Sequence, residues 1–507
     1  MKKILQYNLL LFMLLLIISS CDEGFDELNE NQVSPTAINP TFLLNNAIIT
    51  TSGDFNTLVY EYGIVQHIIS PNSGVLTGAN YNQDNRAATQ GLWQRYYRNV
   101  VRNSVDVITQ TKDQPTRSNL YNMARIMRAY SLMVLTDSYG DIPYVEAGKG
   151  FTEQVLFPKY DAQQAIYPDI IKELTEATAA LDAAKPIEVA DVLYNGNIAQ
   201  WKKFGNSLLL RAGMRLSKVD AAQAQQVVAR AFQGGVIEIN ADNAVVRHDA
   251  NYTNPASVTL NSTEANNFYL TAPFVTHLKS TNDPRLAAIA VRYVGAKSGP
   301  EQTAAKASTD PSVQIGMPLG YDNSGIGPVA TSLGLASFYD FSQLDRTRMG
   351  KLAAPFFIVS AAQNQLLLAE AAQRGWISGN VADFYNRGVR LHMEQLAAYG
   401  SNVAIPTASI DAYLMANPFD SSKALEQINT QYWIASFLNG FEAFANFRRS
   451  GFPALTPNPF PGKDITGPFI RRLTYPNSEL SVNSANVQEA IGRMGGDKLD
   501  IRVWWDK

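Results

Sequence analysis

The sequence has 507 residues and a single cysteine, Cys21. One thiol excludes a framework of intrachain disulfides, and it excludes zinc sites and iron–sulfur clusters that several cysteines hold. The chain also lacks an excess of basic residues, because 42 Lys and Arg stand against 45 Asp and Glu and give a net charge of -3. Nucleic-acid binding needs clustered Lys and Arg to neutralise phosphates, so this charge balance argues against a nucleic-acid partner.

Enzyme motifs are missing as well. The sequence contains no Gly-x-Ser-x-Gly elbow, no Walker loop, no His-Glu-x-x-His and no EF-hand loop. Its four histidines are too scattered to suggest a ligand pair at helical spacing. We therefore expect no catalytic residue, no metal and no cofactor. A lipid-anchored glycoside hydrolase stays open as an alternative, because the two carboxylates of such an enzyme cannot be paired from sequence.

A short apolar run lies near the N-terminus. Two lysines precede ten apolar residues, 9–18, and ten helical residues reach about 15 Å, half of the hydrocarbon core of a membrane. This length is typical of the hydrophobic region of a signal peptide. Residues 18–20 read Ile-Ser-Ser before Cys21 and resemble a bacterial lipobox, in which the cysteine is lipidated after cleavage. Residues 1–20 are thus a predicted lipoprotein signal peptide, with a plain signal peptide as the alternative.

Residues 21–40 are a predicted lipidated tether. Acidic residues occupy positions 22, 23, 26 and 27, and a polar stretch with two prolines follows. Acidic residues directly after a lipidated cysteine resemble the signal that exports lipoproteins to the outer surface of certain outer membranes. We therefore expect a protein anchored by lipid to the outer membrane and facing the cell exterior. A solvated linker is the alternative.

The remaining residues, 41–507, form one predicted body that is mainly α-helical. Hydrophobic residues make up 46% of the chain and charged residues 17%, which is typical of a globular protein with a buried core. Apolar residues recur at steps of three and four in eight segments. The predicted helices are 91–112, 118–138, 161–182, 197–217, 219–233, 360–375, 379–399 and 422–449, and they place the helical core at about 86–233 and 356–450.

Two regions interrupt the helical pattern. Asn, Gly, Ser, Thr and Pro cluster between about 234 and 355, where only 236–239 and 244–247 resemble strands. A second irregular segment, 451–507, begins with several prolines. Long irregular stretches of compact proteins are commonly functional loops, and the first region contains many aromatic residues. We therefore expect 234–355 to be the loop-rich ligand region.

Several motifs together resemble one known family. They are FDELN at 25–29, TDSYGDIPY at 136–144, the segment 201–217 that begins WKKF, and 431–453 from QYW to FRRSGFP, with DPR at 283–285 and AEAA at 369–372 in support. In order and spacing they resemble the SusD/RagB family of outer-membrane nutrient-binding lipoproteins, closest to its second SusD-like branch. The resemblance implies a helical body with tetratricopeptide-like helix pairs and an irregular region that carries the ligand loops.

The same resemblance implies a function. Members capture nutrients at the cell surface as partners of a SusC-like TonB-dependent transporter, and most take glycans whereas some take peptides. We expect non-catalytic binding of oligosaccharide, with a peptide-binding member as an alternative. A helical scaffold without any small-molecule site is a third possibility.

Most of the motif residues have a structural interpretation. Gly140 and Pro143 predict the end of a helix, so Asp137 and Asp141 are expected to stabilise the fold. Asp283 before Pro284 predicts a helix N-cap. All six tryptophans stand at helical or terminal apolar positions and are expected in the core.

Loop tyrosines are the better candidates for sugar stacking, because each has amides or a carboxylate beside it. The candidate ligand-binding residues are Asn80, Tyr81, Asn82, Tyr252, Tyr321, Asp322 and Tyr339. We expect the rings of Tyr81 and Tyr321 to be exposed, and their loss to leave stability nearly unchanged.

Overall fold

The computed structural model describes residues 38–72, 78–262 and 265–507. The predicted signal peptide, Cys21 and most of the predicted tether lie outside the described residues. Within these ranges the chain is mainly α-helical, which confirms the predicted fold class. None of the described helices is long and apolar enough to span a membrane.

The helices are numbered in chain order. They are α1 Pro40–Ile49, α2 Phe55–Val59, α3 Glu61–Ile64, α4 Arg86–Arg95, α5 Arg102–Thr111, α6 Ser118–Tyr139, α7 Gln163–Ala180, α8 Ile198–Arg215, α9 Ala221–Gly234, α10 Pro255–Leu260, α11 Ala272–Ser280, α12 Arg285–Ile289, α13 Ile326–Ser332, α14 Ala361–Gln373, α15 Val381–Gln395, α16 Thr407–Ala416, α17 Ala424–Ala435, α18 Gly440–Ser450, α19 Asn477–Val482 and α20 Ser484–Met494. A π-helical segment, Tyr96–Val101, joins α4 to α5.

The strands are short. They are β1 Ile68–Ile69, β2 Ile142–Pro143, β3 Tyr160–Asp161, β4 Ala244–Val246, β5 Tyr269–Leu270, β6 Ala290–Tyr293, β7 Ala307–Ser308, β8 Gln343–Leu344 and β9 Phe356–Val359. All pairs are antiparallel: β1 with β5, β2 with β3, β4 with β9, and β6 between β7 and β8. Most of them lie in the predicted loop-rich region, which is therefore ordered by small sheets.

Consecutive helices pack side by side as pairs. Helix α6 packs on α5 and α7, α8 packs on α7 and α9, and α14 packs on α15 and α17. The α14–α15 pair shows why small residues are needed, because a Cβ at Gly388 would lie 2.7 Å from the Cγ atom of Leu366. The helix pairs of the predicted family fold are present.

Two predicted elements are wrong. The segment 422–449 is not one helix, because the chain breaks between α17 and α18, where Leu438 has a φ of +66° and the Asn439 side chain caps α18 by accepting from the Glu442 N–H. Residues 236–239 are not a strand. The N–H of Ile237 donates to Ser207 Oγ at 3.0 Å and its carbonyl accepts from Asn364 Nδ2 at 2.9 Å. The backbone of Ile237 therefore pairs with side chains and not with a neighbouring strand.

The C-terminal segment 451–507 is less irregular than predicted, because it includes α19 and α20. Its last residues return to the core. The side chain of Trp505 is fully buried, and its Nε1 donates to Asp137 Oδ1 at 2.9 Å. The end of the chain is thereby fixed against α6.

A buried cluster of charged residues joins α6, α8 and α18, and we name it the Glu442 cluster. Glu442 Oε2 lies 3.0 Å from Arg211 Nε and 2.6 Å from Arg215 Nη2, and Arg215 Nε lies 3.1 Å from Asp137 Oδ2. Tyr432 Oη donates to the other oxygen of Glu442 at 2.7 Å. Burial alone would raise the pKa of Glu442, but Arg211 and Arg215 hold that pKa below its ordinary value.

Two further clusters have the same character. Glu370 on α14 accepts from both Nη atoms of Arg449 on α18 at 2.7 Å, and the arginines beside it lower the pKa of Glu370 to about 2 although burial opposes this. Asp283 Oδ2 lies 2.5 Å from Arg285 Nη2, which also donates to Gln431 Oε1 at 2.7 Å. These contacts connect helices that are distant in sequence.

The family motifs at 136–144 and 283–285 stabilise the fold, as the structural interpretation predicted, whereas FDELN at 25–29 lies outside the described residues. Gly140 ends α6 with a φ of +86°. Asp141 accepts from the N–H of Gln163 at 3.0 Å and from Arg493 Nε at 2.9 Å. Asp283 Oδ1 accepts from the N–H of Arg285 at 2.9 Å at the start of α12.

Replacing Glu442 by glutamine should lower the free energy of unfolding by about 3 to 5 kcal/mol, because Arg211 and Arg215 lose the charge that compensates their burial. The pKa of Glu442 is below its ordinary value in the folded chain, so this loss should shrink as the pH falls through the lowered pKa and wild type takes up the proton. Urea denaturation at several pH values measures both effects.

The matched control is Glu489→Gln. The side chain of Glu489 is 72% exposed and pairs with Arg493 one helical turn away. Such an exposed pair contributes about 0.5 kcal/mol or less to the free energy of unfolding. Equal losses in the two variants would contradict a supporting role for the Glu442 cluster.

Candidate functional site

Three loops meet at one surface, and we name it the three-loop surface: residues 78–85, 319–325 and 456–464. Asn80 joins the first two loops. Its Nδ2 donates to the carbonyl oxygens of Ser70 at 2.7 Å and Tyr321 at 3.1 Å, and its Oδ1 accepts from the N–H of Gly320 at 2.9 Å. One buried amide side chain therefore fixes both loops.

Asn458 plays the same part for the third loop. Its Nδ2 donates to the carbonyl oxygens of Ala79 at 3.1 Å and Asn80 at 2.6 Å, and its Oδ1 accepts from the N–H of Phe460 at 3.0 Å. Gly320 is needed at this junction, because it has a φ of +82° and a Cβ there would lie 2.7 Å from Asn458 Oδ1.

The Tyr81 ring lies inside this junction, contrary to the expected exposure. Only 3% of the residue is exposed, and its hydroxyl donates to the carbonyl oxygen of Pro71 at 2.8 Å. The ring packs on Phe460 with centroids 4.5 Å apart. Burial, with the nearby Asp322 carboxylate, raises the pKa of Tyr81 to about 12. Asn82 is also buried, and its carbonyl accepts from the N–H of Asp464 at 2.9 Å.

Tyr321, Asp322 and Phe460 are partly exposed on this surface. Tyr321 rests on a small core that includes Ile69 and Tyr269. Asp322 Oδ1 accepts from the N–H groups of Ser324 at 3.0 Å and Gly325 at 2.7 Å, which shapes the turn before α13. The structure therefore brings five of the predicted site residues together: Asn80, Tyr81, Asn82, Tyr321 and Asp322.

The other two predicted site residues differ in position. Tyr339 stacks on Phe338 with centroids 4.1 Å apart, and Phe338 packs on the same small core as Tyr321. Tyr252 lies on a separate loop after β4 and is 58% exposed. The backbone of that loop is fixed by Asp249, whose Oδ1 accepts from the N–H of Tyr252 at 2.9 Å.

The sequence predicted neither Asn458 nor Phe460 as part of a site. Both lie in the proline-rich part of 451–476, and only the number of prolines marked that segment as a loop.

Four tryptophans, at 93, 201, 433 and 505, are buried as predicted. Trp376 and Trp504 are only partly buried and pack at the edge of the core. Among the residues that the structure describes, no group of three His, Cys, Asp or Glu could hold a metal ion.

Comparison with known proteins decides the family. Residues 30–476 match the model of the second SusD-like family, which is described as starch-binding and associating with the outer membrane. The chain belongs to this SusD-like family. None of the curated proteins compared with the chain matches it.

Solved structures show the same relationship. A structure described as a chitin-binding protein is 34% identical over 92% of this SusD-like chain and 100% of its own, with a TM-score of 0.82. A SusD-like protein from Bacteroidetes is 29% identical over 93% of this chain and 100% of its own, with a TM-score of 0.81. A SusD homologue from Bacteroides uniformis is 25% identical over 92% and 99%, with a TM-score of 0.74. The resemblance stated from the motifs is confirmed.

Tyr81→Ala should lower the free energy of unfolding by about 3 to 5 kcal/mol, because it removes a buried aromatic ring. Tyr81→Phe keeps the ring and removes only the hydroxyl, so its cost should be about 1 to 3 kcal/mol for leaving the Pro71 carbonyl unpaired. Chemical denaturation of both variants measures the difference. A Tyr81→Ala protein as stable as wild type would show that the ring does not support the junction.

Proposed function

We propose that this SusD-like protein binds oligosaccharide nutrients at the cell surface, leaves their bonds intact and delivers them to a SusC-like TonB-dependent outer-membrane transporter. The observation that carries the proposal is the three-loop surface, where the partly exposed rings of Tyr321 and Phe460 lie in loops rich in amides and carboxylates. Flat rings stack on sugar faces, and such polar groups hydrogen-bond hydroxyls. The starch-binding description of the family and the chitin-binding relative support the same ligand class.

The carboxylates at this surface support capture rather than hydrolysis. Asp464 Oδ2 accepts from the N–H of Asp84 at 2.9 Å, and Asp84 Oδ1 accepts from Thr474 Oγ1 at 2.7 Å. Asp322 is used in its own turn. A glycoside hydrolase needs one carboxyl group on each side of the scissile bond, whereas these three stabilise the loops.

Anchoring by lipid completes the proposal. Cys21 is proposed to be lipidated, which would hold the protein on the outer membrane facing the cell exterior. The first described helix, α1, begins at Pro40, so residues 22–39 would connect the anchor to the body. They could reach at most about 65 Å when fully extended.

An exposed apolar patch supports a protein partner. Its members are Val145, Phe151, Leu156, Phe157 and Val482, and the exposed fraction of each is 57% or more. Asn486 Nδ2 donates to the Phe157 carbonyl at 3.0 Å and Asn483 Nδ2 to the Pro158 carbonyl at 2.9 Å, so the loop is held beside α19 and α20. Large exposed apolar side chains on one loop and the helix beside it are typical of protein interfaces. We propose that the transporter contacts this patch.

Tyr321→Ala should weaken oligosaccharide binding about three- to tenfold, because ring stacking contributes about 0.5 to 1.5 kcal/mol. Calorimetric titration with the best binder from a glycan array measures the change, and thermal melts check the fold. The control is Tyr252→Ala, which removes an exposed tyrosine from a different loop and should leave binding unchanged.

Three outcomes of this experiment would contradict the proposal. Loss of binding in the Tyr252 variant alone would place the site on the other loop. New reducing ends after long incubation of wild type would favour the hydrolase. Binding to a peptide library without binding to any glycan would favour the peptide-binding alternative.

A double variant, Phe151→Ser with Leu156→Ser, should reduce the amount of transporter that copurifies in mild detergent, because it removes two exposed apolar side chains from the patch. The control is Met415→Ser, an 83% exposed methionine on α16. Quantitative mass spectrometry measures the ratio of copurified transporter to SusD-like protein in each variant. Full recovery of the transporter with the double variant would exclude the patch from the interface.

A further inference from the structure

A cleft lies apart from the three-loop surface. Its volume is about 500 Å³, and it is lined by the start of α7, the end of α20 and the last residues of the chain. The lining residues that matter here are Gln163, Gln164, Arg493, Arg502 and Trp504. None of its lining residues belongs to the three-loop surface.

Trp504 provides an aromatic wall. The ring is only partly buried and contacts Tyr167, with centroids 6.2 Å apart. Its neighbours Val503 and Trp505 are buried, and Trp505 is hydrogen-bonded to Asp137, so the tail cannot swing freely. A tryptophan that is held in place and lines a cleft is suited to stack on a pyranose face.

Polar groups with unused hydrogen-bonding capacity lie beside this ring. Gln163 is 1% exposed and its Nε2 donates to the Thr136 carbonyl at 2.7 Å, but its Oε1 has no hydrogen-bond partner among the described residues. A buried acceptor without a donor calls for an explanation, and a ligand hydroxyl would supply the donor. Arg502 is an exposed guanidinium whose Nη1 donates to Asp506 Oδ1 at 3.1 Å.

Arg493 also lines the cleft, and its side chain is held in place. Its Nε donates to Asp141 Oδ2 at 2.9 Å and its Nη2 to the Tyr160 carbonyl at 2.9 Å. The charged groups of the cleft are thus largely neutralised by their neighbours, which suits a ligand that offers hydroxyl groups rather than net charge.

We propose that this cleft, which we name the C-terminal cleft, is a second saccharide-binding site. Trp504 stacks on a sugar ring, while Gln163 accepts from a hydroxyl and Arg502 donates to another. The ligand class of this site rests on the proposed function. The residues that form the site are different from those of the three-loop surface. A second site would let one molecule hold a chain at two points and raise its effective affinity.

Calorimetric titration of the full chain in mild detergent tests the site. The probes are N-acetylchitohexaose and maltoheptaose, chosen because one relative is described as chitin-binding and the family as starch-binding. Wild type should bind two probe molecules, and Trp504→Ala should bind one. Trp504→Phe keeps an aromatic ring and should retain two. Tyr321→Ala should weaken binding at the three-loop surface about three- to tenfold and leave binding at the C-terminal cleft unchanged.

Gln164→Trp is the second variant, in case removal of Trp504 disturbs the fold. Gln164 is exposed and lines the cleft, so a large side chain there should block it and also reduce the stoichiometry to one. Unchanged stoichiometry and affinity in both Trp504→Ala and Gln164→Trp would overturn the second site alone. Unchanged binding in Tyr321→Ala would instead overturn the three-loop surface, and no binding of either probe to wild type would overturn both.

Discussion

The buried contacts between carboxylates and guanidinium groups are the interactions on which the rest of the structure depends. Glu442 is buried against two arginines of α8, and Glu370 is buried against Arg449 of α18. A charge that is buried without its partner is strongly unfavourable, so α8, α14 and α18 must meet at these positions. The end of the chain also pairs with a buried arginine, because Cζ of Arg448 lies 4.8 Å from the centroid of the Trp505 ring.

This scaffold leaves the loops free to carry a ligand surface. Charged pairs connect the helices, whereas neutral amide side chains connect the loops. Asn80 and Asn458 form hydrogen bonds with backbone groups of three separate segments. Backbone groups that are paired in this way do not need a strand or a helix. Neither Tyr321 nor Phe460 belongs to the main hydrophobic core, so the ligand surface and the helical scaffold use different residues. This separation explains why the motifs identify the family but do not identify the ligand.

The amino-acid sequence predicts the long helices of the core well because each has a long apolar stripe, and α8 between Trp201 and Leu216 is the clearest case. It does not predict the break at Leu438, which depends on a positive φ at a residue without turn preference. The sequence also could not predict the burial of Tyr81, because Phe460 packs on its ring and only the fold brings Phe460 near. The grouping of Tyr321 with Asn80 likewise follows from contacts between residues 241 positions apart.

We expect a rigid ionic scaffold to support a separate three-loop ligand surface. Hydrogen–deuterium exchange of wild type, with and without a bound oligosaccharide, tests it most directly. We expect slow exchange in α6, α8 and α18 in both states, and ligand-dependent protection in residues 78–85, 319–325 and 456–464. Protection confined to the scaffold helices, with no change in those loops, would contradict it.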